Sequence, residues 1–165
     1  MRRIEPLAPN HDRSGFDCGV SALNRYLRET ARQHADKGIS RSFVLTDASA
    51  PDKILGFFTL SVCEIQAERL PSRIARKYPR TIPAARLARL AIAKNRQREG
   101  LGRLLMVDAM LRCLAAAESV GIVALFVDAR DEAAARYYAQ YGFIPLPDQT
   151  LTLCLPLKTL RESLK

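Results

Sequence analysis

Gln97-Arg98-Glu99-Gly100-Leu101-Gly102-Arg103 is a basic, glycine-bearing turn that runs directly into the clearest helical pattern of this 165-residue chain. Two glycines in Gly-x-Gly spacing let backbone N–H groups approach a ligand with no Cβ between them, and the helix behind adds the positive end of its dipole. That combination can cradle phosphate, although a glycine pair is also an ordinary strand-to-helix turn. Downstream, Leu101, Leu104, Leu105, Val107, Leu111 and Leu114 mark a long amphipathic helix ended by Gly121. Ile122 to Val127 is a continuous apolar run, which reads as a central buried strand. Upstream, Arg86 to Ala93 is ambiguous on propensity and is taken as a strand, because the glycine turn requires one before it.

Asp131 stands where it can N-cap a further helix through Tyr141, which Gly142 stops. Phe143-Ile144 and Leu151 to Leu155 give two more short strands, and Pro156 to Leu164 a closing helical turn. In the first half, Arg2 to Leu7 is a short opening strand, and Ser21 to Ala31 places its apolar residues on one helical face that ends before Gly38. Ser40 to Thr46 and Ile54 to Ile65 read as an antiparallel hairpin. Pro71 to Lys77 reads as a short basic helix, released by Pro83. The sum is one mixed α/β domain over residues 1–165, with strand–helix–strand–helix–strand in its second half.

Nearly half the residues are hydrophobic and about a quarter are charged, the balance of a folded globular chain. No apolar run is long enough for a membrane span, and Met1 to Pro6 lacks the apolar stretch of a signal peptide, so a cytoplasmic location is the default. Cys18, Cys63, Cys113 and Cys154 show no Cys-x-x-Cys spacing and read as small hydrophobes in a reducing compartment. His11 and His34 have no partner at ligand spacing; both read as surface residues, and no metal is expected.

The net charge of +9 is unevenly spread. Between Arg69 and Arg103 eleven basic residues face one acid, Glu99, a local balance of +10, so the rest of the chain sums to −1. A solvated face would mix its signs. This block expects an anionic partner.

Gln97-x-x-Gly100-x-Gly102 after a strand, with Tyr137-Tyr138-x-x-Tyr141-Gly142-Phe143 about forty residues on, resembles the Gcn5-related N-acetyltransferase (GNAT) family, and the element order matches over nearly the whole chain. Phe16-Asp17-Cys18-Gly19, then Leu23-Asn24-x-Tyr26-Leu27, and Arg89-Leu90-Ala91-Ile92 before the turn resemble the tRNA-acetylating toxins of bacterial toxin–antitoxin modules, the TacT and AtaT type. Lys94 departs from an acid common in such sequences, and Asp131 from an asparagine common in acetyltransferases.

The resemblance implies a GNAT fold, a mixed sheet of six to seven strands with about four flanking helices. It implies acetyl-CoA as donor, held at Gln97, Arg98, Glu99, Gly100, Leu101, Gly102 and Arg103, along the backbone of Leu90, Ala91 and Ile92, and near Asp131. An amide of that strand can also polarise the thioester carbonyl. Of three neighbouring tyrosines, the alignment puts Tyr138 on the general acid, and a phenol with pKa about 10 is protonated and ready to donate. The alternative is that all three are packing residues.

No carboxylate stands in Arg86 to Ala93 as general base. A lysine acceptor, pKa about 10.4, would need one; the α-amine of an aminoacyl ester starts near about 8 or below and needs little help. Polycationic acceptors would be repelled by the basic block, whereas its surplus over coenzyme A suits an RNA backbone. The expected activity is therefore acetylation of aminoacyl-tRNA, with Arg73, Arg76, Lys77, Arg86 and Arg89 as tRNA contacts. Acetylation of a protein N-terminus or small amine, or a non-catalytic nucleic-acid- or repressor-binding domain, are the alternatives. The toxin resemblance implies a small DNA-binding antitoxin partner, and the sequence leaves monomer and homodimer open.

Overall fold

Aromatic and β-branched residues, among them Phe43, Val44, Thr46, Phe57, Phe58 and Thr59, build the second and third strands. In the computed structural model, which describes residues 1–164, β1 (Arg2–Pro6), β2 (Arg41–Asp47) and β3 (Gly56–Gln66) form an antiparallel meander. Its register pairs Phe43 with Phe58, whose rings stack at 5.2 Å, and Ser42 with Thr59, whose hydroxyls lie 2.8 Å apart. Cross-strand pairs of this kind fix register, because a one-residue slip would turn every side chain to the other face. Between β1 and β2 run α1 (Ser21–Arg25), a π-helical turn Tyr26–Thr30 and α2 (Ala31–Asp36).

After the short helix α3 (Ser72–Ala75) comes β4 (Thr81–Ile92), and the turn at residues 97–100 leads into α4 (Leu101–Ala117). β5 (Ala124–Asp128), α5 (Glu132–Ala139), β6 (Ile144–Leu146), β7 (Gln149–Pro156) and α6 (Leu157–Ser163) complete the chain. The strand order is β1-β2-β3-β4-β5-β7-β6. β4 and β5 run parallel, while β5–β7 and β6–β7 are antiparallel. This mixed seven-stranded sheet is the α/β architecture expected. Among the described residues no helix is long and apolar enough to cross a membrane.

Contacts divide the chain into two units, 1–61 with 88–109 and 62–87 with 110–165. The first has a core of Phe16, Tyr26, Leu27, Val44, Ile54, Phe57, Ala91 and Ala93, with Phe16 edge-on to Phe57 at 5.5 Å. The second is centred on Ile65, Leu70, Ile82, Ala84, Phe126, Leu146 and Cys154.

Three expectations need correction. Pro83 does not mark the release of the basic helix; it lies inside β4, which begins at Thr81, and is exposed, with its carbonyl accepting Val123 N–H at 3.0 Å. Both Ala84 and Ala85 are buried, so the inside–outside alternation of β4 changes phase there. The basic helix is shorter than Pro71 to Lys77. His11 is not a surface residue: it is 4% exposed, its Nδ1 accepts the Ala8 N–H at 2.9 Å, and its Nε2 lies 2.9 Å from Glu5 Oε1. Because Nδ1 is occupied as an acceptor, Nε2 carries the hydrogen given to Glu5.

Candidate functional site

β4 delivers the chain to the glycine turn. Ala93 N–H donates to the Leu55 carbonyl at 2.9 Å, so strand alternation turns the Ala91 backbone toward β3 and the amides of Leu90 and Ile92 away from it. A Cβ on Gly56 would lie 2.9 Å from the Ala91 carbonyl oxygen, which shows how closely β3 covers that side. The β4–β5 register spans only Ala85 to Leu87, and Leu90 and Ile92 lie beyond it.

A single 3-10 turn, Lys94–Arg96, follows β4. The Gln97 side-chain amide then donates to the Ile92 carbonyl at 3.1 Å and to the Cys18 carbonyl at 3.2 Å, folding the turn back on the strand it left. Arg98 and Gly100 both have left-handed backbones, φ 68° and 79°. Such alternation aims successive N–H groups toward one point, the geometry of an anion nest. Nothing lies within 4 Å of where a Gly100 Cβ would stand, so the turn is open on that face. Glu99 points its carboxylate at Arg96 Nε, 3.1 Å, and Arg2 Nη2, 3.6 Å, and Leu101 is buried. Gln97, Glu99 and Leu101 thus commit their side chains to the protein. Arg98 and Arg103 are exposed and, among the described residues, have no ion pair. An open left-handed glycine between two unpaired arginines fits the pyrophosphate of coenzyme A.

The Phe16–Gly19 stretch, singled out only by resemblance, braces this turn from the N-terminal side. Asp17 Oδ1 accepts Gly19 N–H and Asn24 Nδ2, both at 2.9 Å, and its Oδ2 lies 3.0 Å from Lys94 Nζ. The Asp17 carbonyl accepts the Lys94 N–H at 2.9 Å. The Gly19 amide first, then Asn24 and Lys94, hold the Asp17 carboxyl down at about 2. The unexpected Lys94 is therefore the partner of Asp17. Asp-x-Gly, with the short side chain bonding a backbone N–H two residues on, is Asx-turn chemistry, a signal present in the sequence and left unused.

In the second unit Asp131 caps α5 through Oδ1, which accepts Ala134 N–H at 2.8 Å. The cap is worth about 1 kcal/mol and occupies that oxygen. The three tyrosines of α5 and its end are distinguished by their hydroxyls. Tyr137 and Tyr141 bond each other at 2.9 Å. Tyr138 packs its ring edge-on against Tyr137 and Phe143, and among the described residues its hydroxyl has no hydrogen-bond partner. Burial pushes the Tyr138 phenol above its ordinary value, against a smaller opposing pull from Arg130.

The basic block is less bare than its sequence. Arg69 meets Asp148 at 3.6 Å; Arg86 pairs with Asp128, whose other oxygen accepts the Thr152 hydroxyl at 2.9 Å. Arg89 lies 3.6 Å over the centre of the Tyr26 ring. By contrast Arg73, Arg76 and Lys77, on α3 and just after it, are exposed and without an ion pair among the described residues. Among those residues no group of three or more His, Cys, Asp or Glu could hold a metal ion.

Residues 38–145 match the acetyltransferase (GNAT) domain family. A tRNA-acetylating toxin of Mycobacterium tuberculosis is 33% identical, over 91% of this chain and 89% of that protein. Among solved structures, AtaT complexed with acetyl-methionyl-tRNAfMet matches with a TM-score of 0.91 at 34% identity, covering all of both chains. A tyrosine-to-phenylalanine mutant of the AtaT toxin, bound to the C-terminus of the antitoxin AtaR and acetyl-CoA, matches at 0.82 and 32% identity over 99% of this chain and 98% of that one.

Proposed function

The chain belongs to the GNAT acetyltransferase family, and we propose that it is an acetyl-CoA-dependent toxin that acetylates the α-amine of aminoacyl-tRNA and so stops translation. The observation that carries this reading is likeness along the whole chain to AtaT, which was solved with an acetylated aminoacyl-tRNA. We take residues 1–165 as one acetyltransferase domain; β3, β4 and α4 each run from one unit into the other, which supports it. The site of action is the cytoplasm, where charged tRNA is used.

Acetyl-CoA, when bound, supplies an acetyl group activated as a thioester. Arg98, Gly100, Gly102 and Arg103 hold its phosphates, the side chains by charge and the backbone by its N–H groups. Gln97 and Glu99 act on the same cofactor by keeping the turn in shape. The outward amides of Leu90 and Ile92 extend β4 along the pantetheine arm, and one of them polarises the acetyl carbonyl. Ala91, turned toward β3, contributes packing only. Asp131 contributes by starting the helix that carries Tyr138.

Tyr138 Oη holds the proton that the departing sulfur takes. A raised phenol pKa keeps that proton in place through neutral pH, and a hydroxyl with no hydrogen-bond partner among the described residues is free to aim it. The acceptor needs no protein base, since Asp128 is already engaged by Arg86 and Thr152, and the α-amine is partly free at neutral pH. Arg73, Arg76 and Lys77 meet the tRNA backbone, and Arg86 and Arg89 support the site through Asp128 and Tyr26. A small DNA-binding antitoxin is the expected protein partner, as an antitoxin accompanies AtaT.

The test is incubation of labelled acetyl-CoA with individually charged tRNAs, uncharged tRNA and free peptides. Label confined to charged tRNA is expected; equal labelling of uncharged tRNA, or turnover on peptides alone, overturns the reading.

A further inference from the structure

We propose that Asp17 is a positioning residue for coenzyme A binding, which it serves at a distance by fixing the start of the 94–103 turn; the proposal rests on that turn being the phosphate cradle. One carboxylate holds three points together. Oδ1 fastens the Asp17–Asn24 loop to itself through Gly19 N–H and Asn24 Nδ2, and Oδ2 takes the Lys94 ammonium. The backbone of the same loop then takes the turn: the Asp17 carbonyl receives Lys94 N–H, and the Cys18 carbonyl receives the Gln97 side chain. Asn24 closes the ring by accepting Cys18 N–H at 2.9 Å.

The turn needs such support. Arg98 sits in the left-handed region, where a residue with a Cβ is strained, and only surrounding contacts keep it there. Those contacts lie on either side of it: Lys94 and Gln97 against the Asp17–Cys18 loop before, and Glu99 against Arg96 and Arg2 after. Phe16 and Cys18 are buried in the core of the first unit, so the loop is a fixed wall rather than a mobile flap. If the wall is loosened, the N–H groups from Arg98 to Arg103 lose their common aim, and it is the phosphates that lose contacts.

The experiment is calorimetric titration of the full chain with coenzyme A, alongside acetyl-transfer kinetics. Asp17→Ala is expected to raise the coenzyme A Kd and the acetyl-CoA KM about tenfold, while kcat at saturating acetyl-CoA and the acceptor KM stay within about twofold. Asp17→Asn keeps an acceptor oxygen for Gly19 and Asn24 and should recover to within about threefold of wild type. Lys94→Met cuts only the side-chain link and should weaken binding about threefold, with the double variant no worse than Asp17→Ala. Should Asp17→Ala not fold, Lys94→Met and Asp17→Asn decide. Unchanged coenzyme A affinity in Asp17→Ala, or in Lys94→Met where Asp17→Ala does not fold, overturns the proposal, as does a parallel loss of kcat, both KM values and Tm that Asp17→Asn fails to recover. Coenzyme A titration involves no tRNA, so failure of wild type to acetylate aminoacyl-tRNA would sink the substrate reading and leave this result standing.

Discussion

Tyr138→Phe separates chemistry from packing because it removes one oxygen and nothing else. The ring keeps its edge contacts with Tyr137 and Phe143, centroids 5.5 and 6.0 Å away. Among the described residues the lost hydroxyl has no hydrogen-bond partner, so Tm should stay within about 2 °C. If Tyr138 donates the proton to the leaving sulfur, kcat should fall about 100- to 10,000-fold, the usual worth of a placed general acid and equivalent to about 3–5 kcal/mol of barrier. Acetyl-CoA affinity should hardly move. Tyr141→Phe is the matched control: it breaks the 2.9 Å bond to Tyr137, at about 1 kcal/mol of stability, and should leave kcat within about threefold. The pH profile gives a second readout. The protonated phenol is the active form and burial raises its pKa, so the alkaline fall of wild-type kcat should come above the range of an ordinary phenol; Tyr138→Phe should lack that limb. Single-turnover acetylation of charged tRNA measures both. Retention of more than about a tenth of wild-type kcat in Tyr138→Phe, or an equal fall in Tyr141→Phe, would refute the reasoning.

Reversing charge at Arg73, Arg76 and Lys77 together (each →Glu) should raise the aminoacyl-tRNA KM at least about tenfold and flatten its salt dependence by about two to three units of log–log slope; Tm and coenzyme A affinity should be unchanged, since these side chains are exposed and without an ion pair among the described residues. Gly100→Ala has room for its methyl but must hold φ 79°, so it should destabilise by about 1–2 kcal/mol and weaken coenzyme A binding in calorimetry. Gly56→Ala has an ordinary backbone and no room, its Cβ meeting the Ala91 carbonyl oxygen at 2.9 Å, so it should lower Tm by overpacking, an effect of about 1–3 kcal/mol. Asp17, with its carboxyl held at about 2 against 3.8, stabilises fully above about pH 4 and loses that contribution as pH falls through about 2; acid unfolding followed by circular dichroism should show wild type losing its advantage over Asp17→Asn across that window.

What the sequence made legible is what short-range chemistry decides. Gly100 and the helix behind it, the apolar run of β5 and the Asp131 cap all depend on residues within a turn of one another, and each element is where its pattern put it; the apolar face of α4 is not, since Leu104, Val107 and Leu111 are exposed while Leu105, Met106, Ala109 and Met110 are buried. Pro83 misled because a missing N–H argues against a strand only where a partner needs it, and here the Pro83 carbonyl makes the contact. His11 misled because its burial comes from Glu5 and Ala8, which no spacing rule connects. Resemblance alone separates Tyr138 from Tyr137 and Tyr141 in the sequence, for a like reason. All three are equivalent as phenols until the Tyr137–Tyr141 bond sets Tyr138 apart.

Charge shows most plainly what counting leaves out. The +10 between Arg69 and Arg103 pointed to an anionic partner, yet five of its eleven cations are engaged within the chain. Arg69, Arg86, Lys94 and Arg96 meet Asp148, Asp128, Asp17 and Glu99, three of which lie outside the block, and Arg89 covers Tyr26. Exposed pairs of this kind contribute at most about 1 kcal/mol to stability, but they remove those cations from the field a phosphate meets. What remains is two groups. Arg98 and Arg103 flank an open glycine and can serve a compact pyrophosphate; Arg73, Arg76, Lys77 and Arg80 lie on and just beyond one short helix, a spread that suits an extended backbone. If the carboxylates that the fold brings back to the block divide its basic residues between cofactor and tRNA in this way, coenzyme A affinity and tRNA affinity should respond to different arginines.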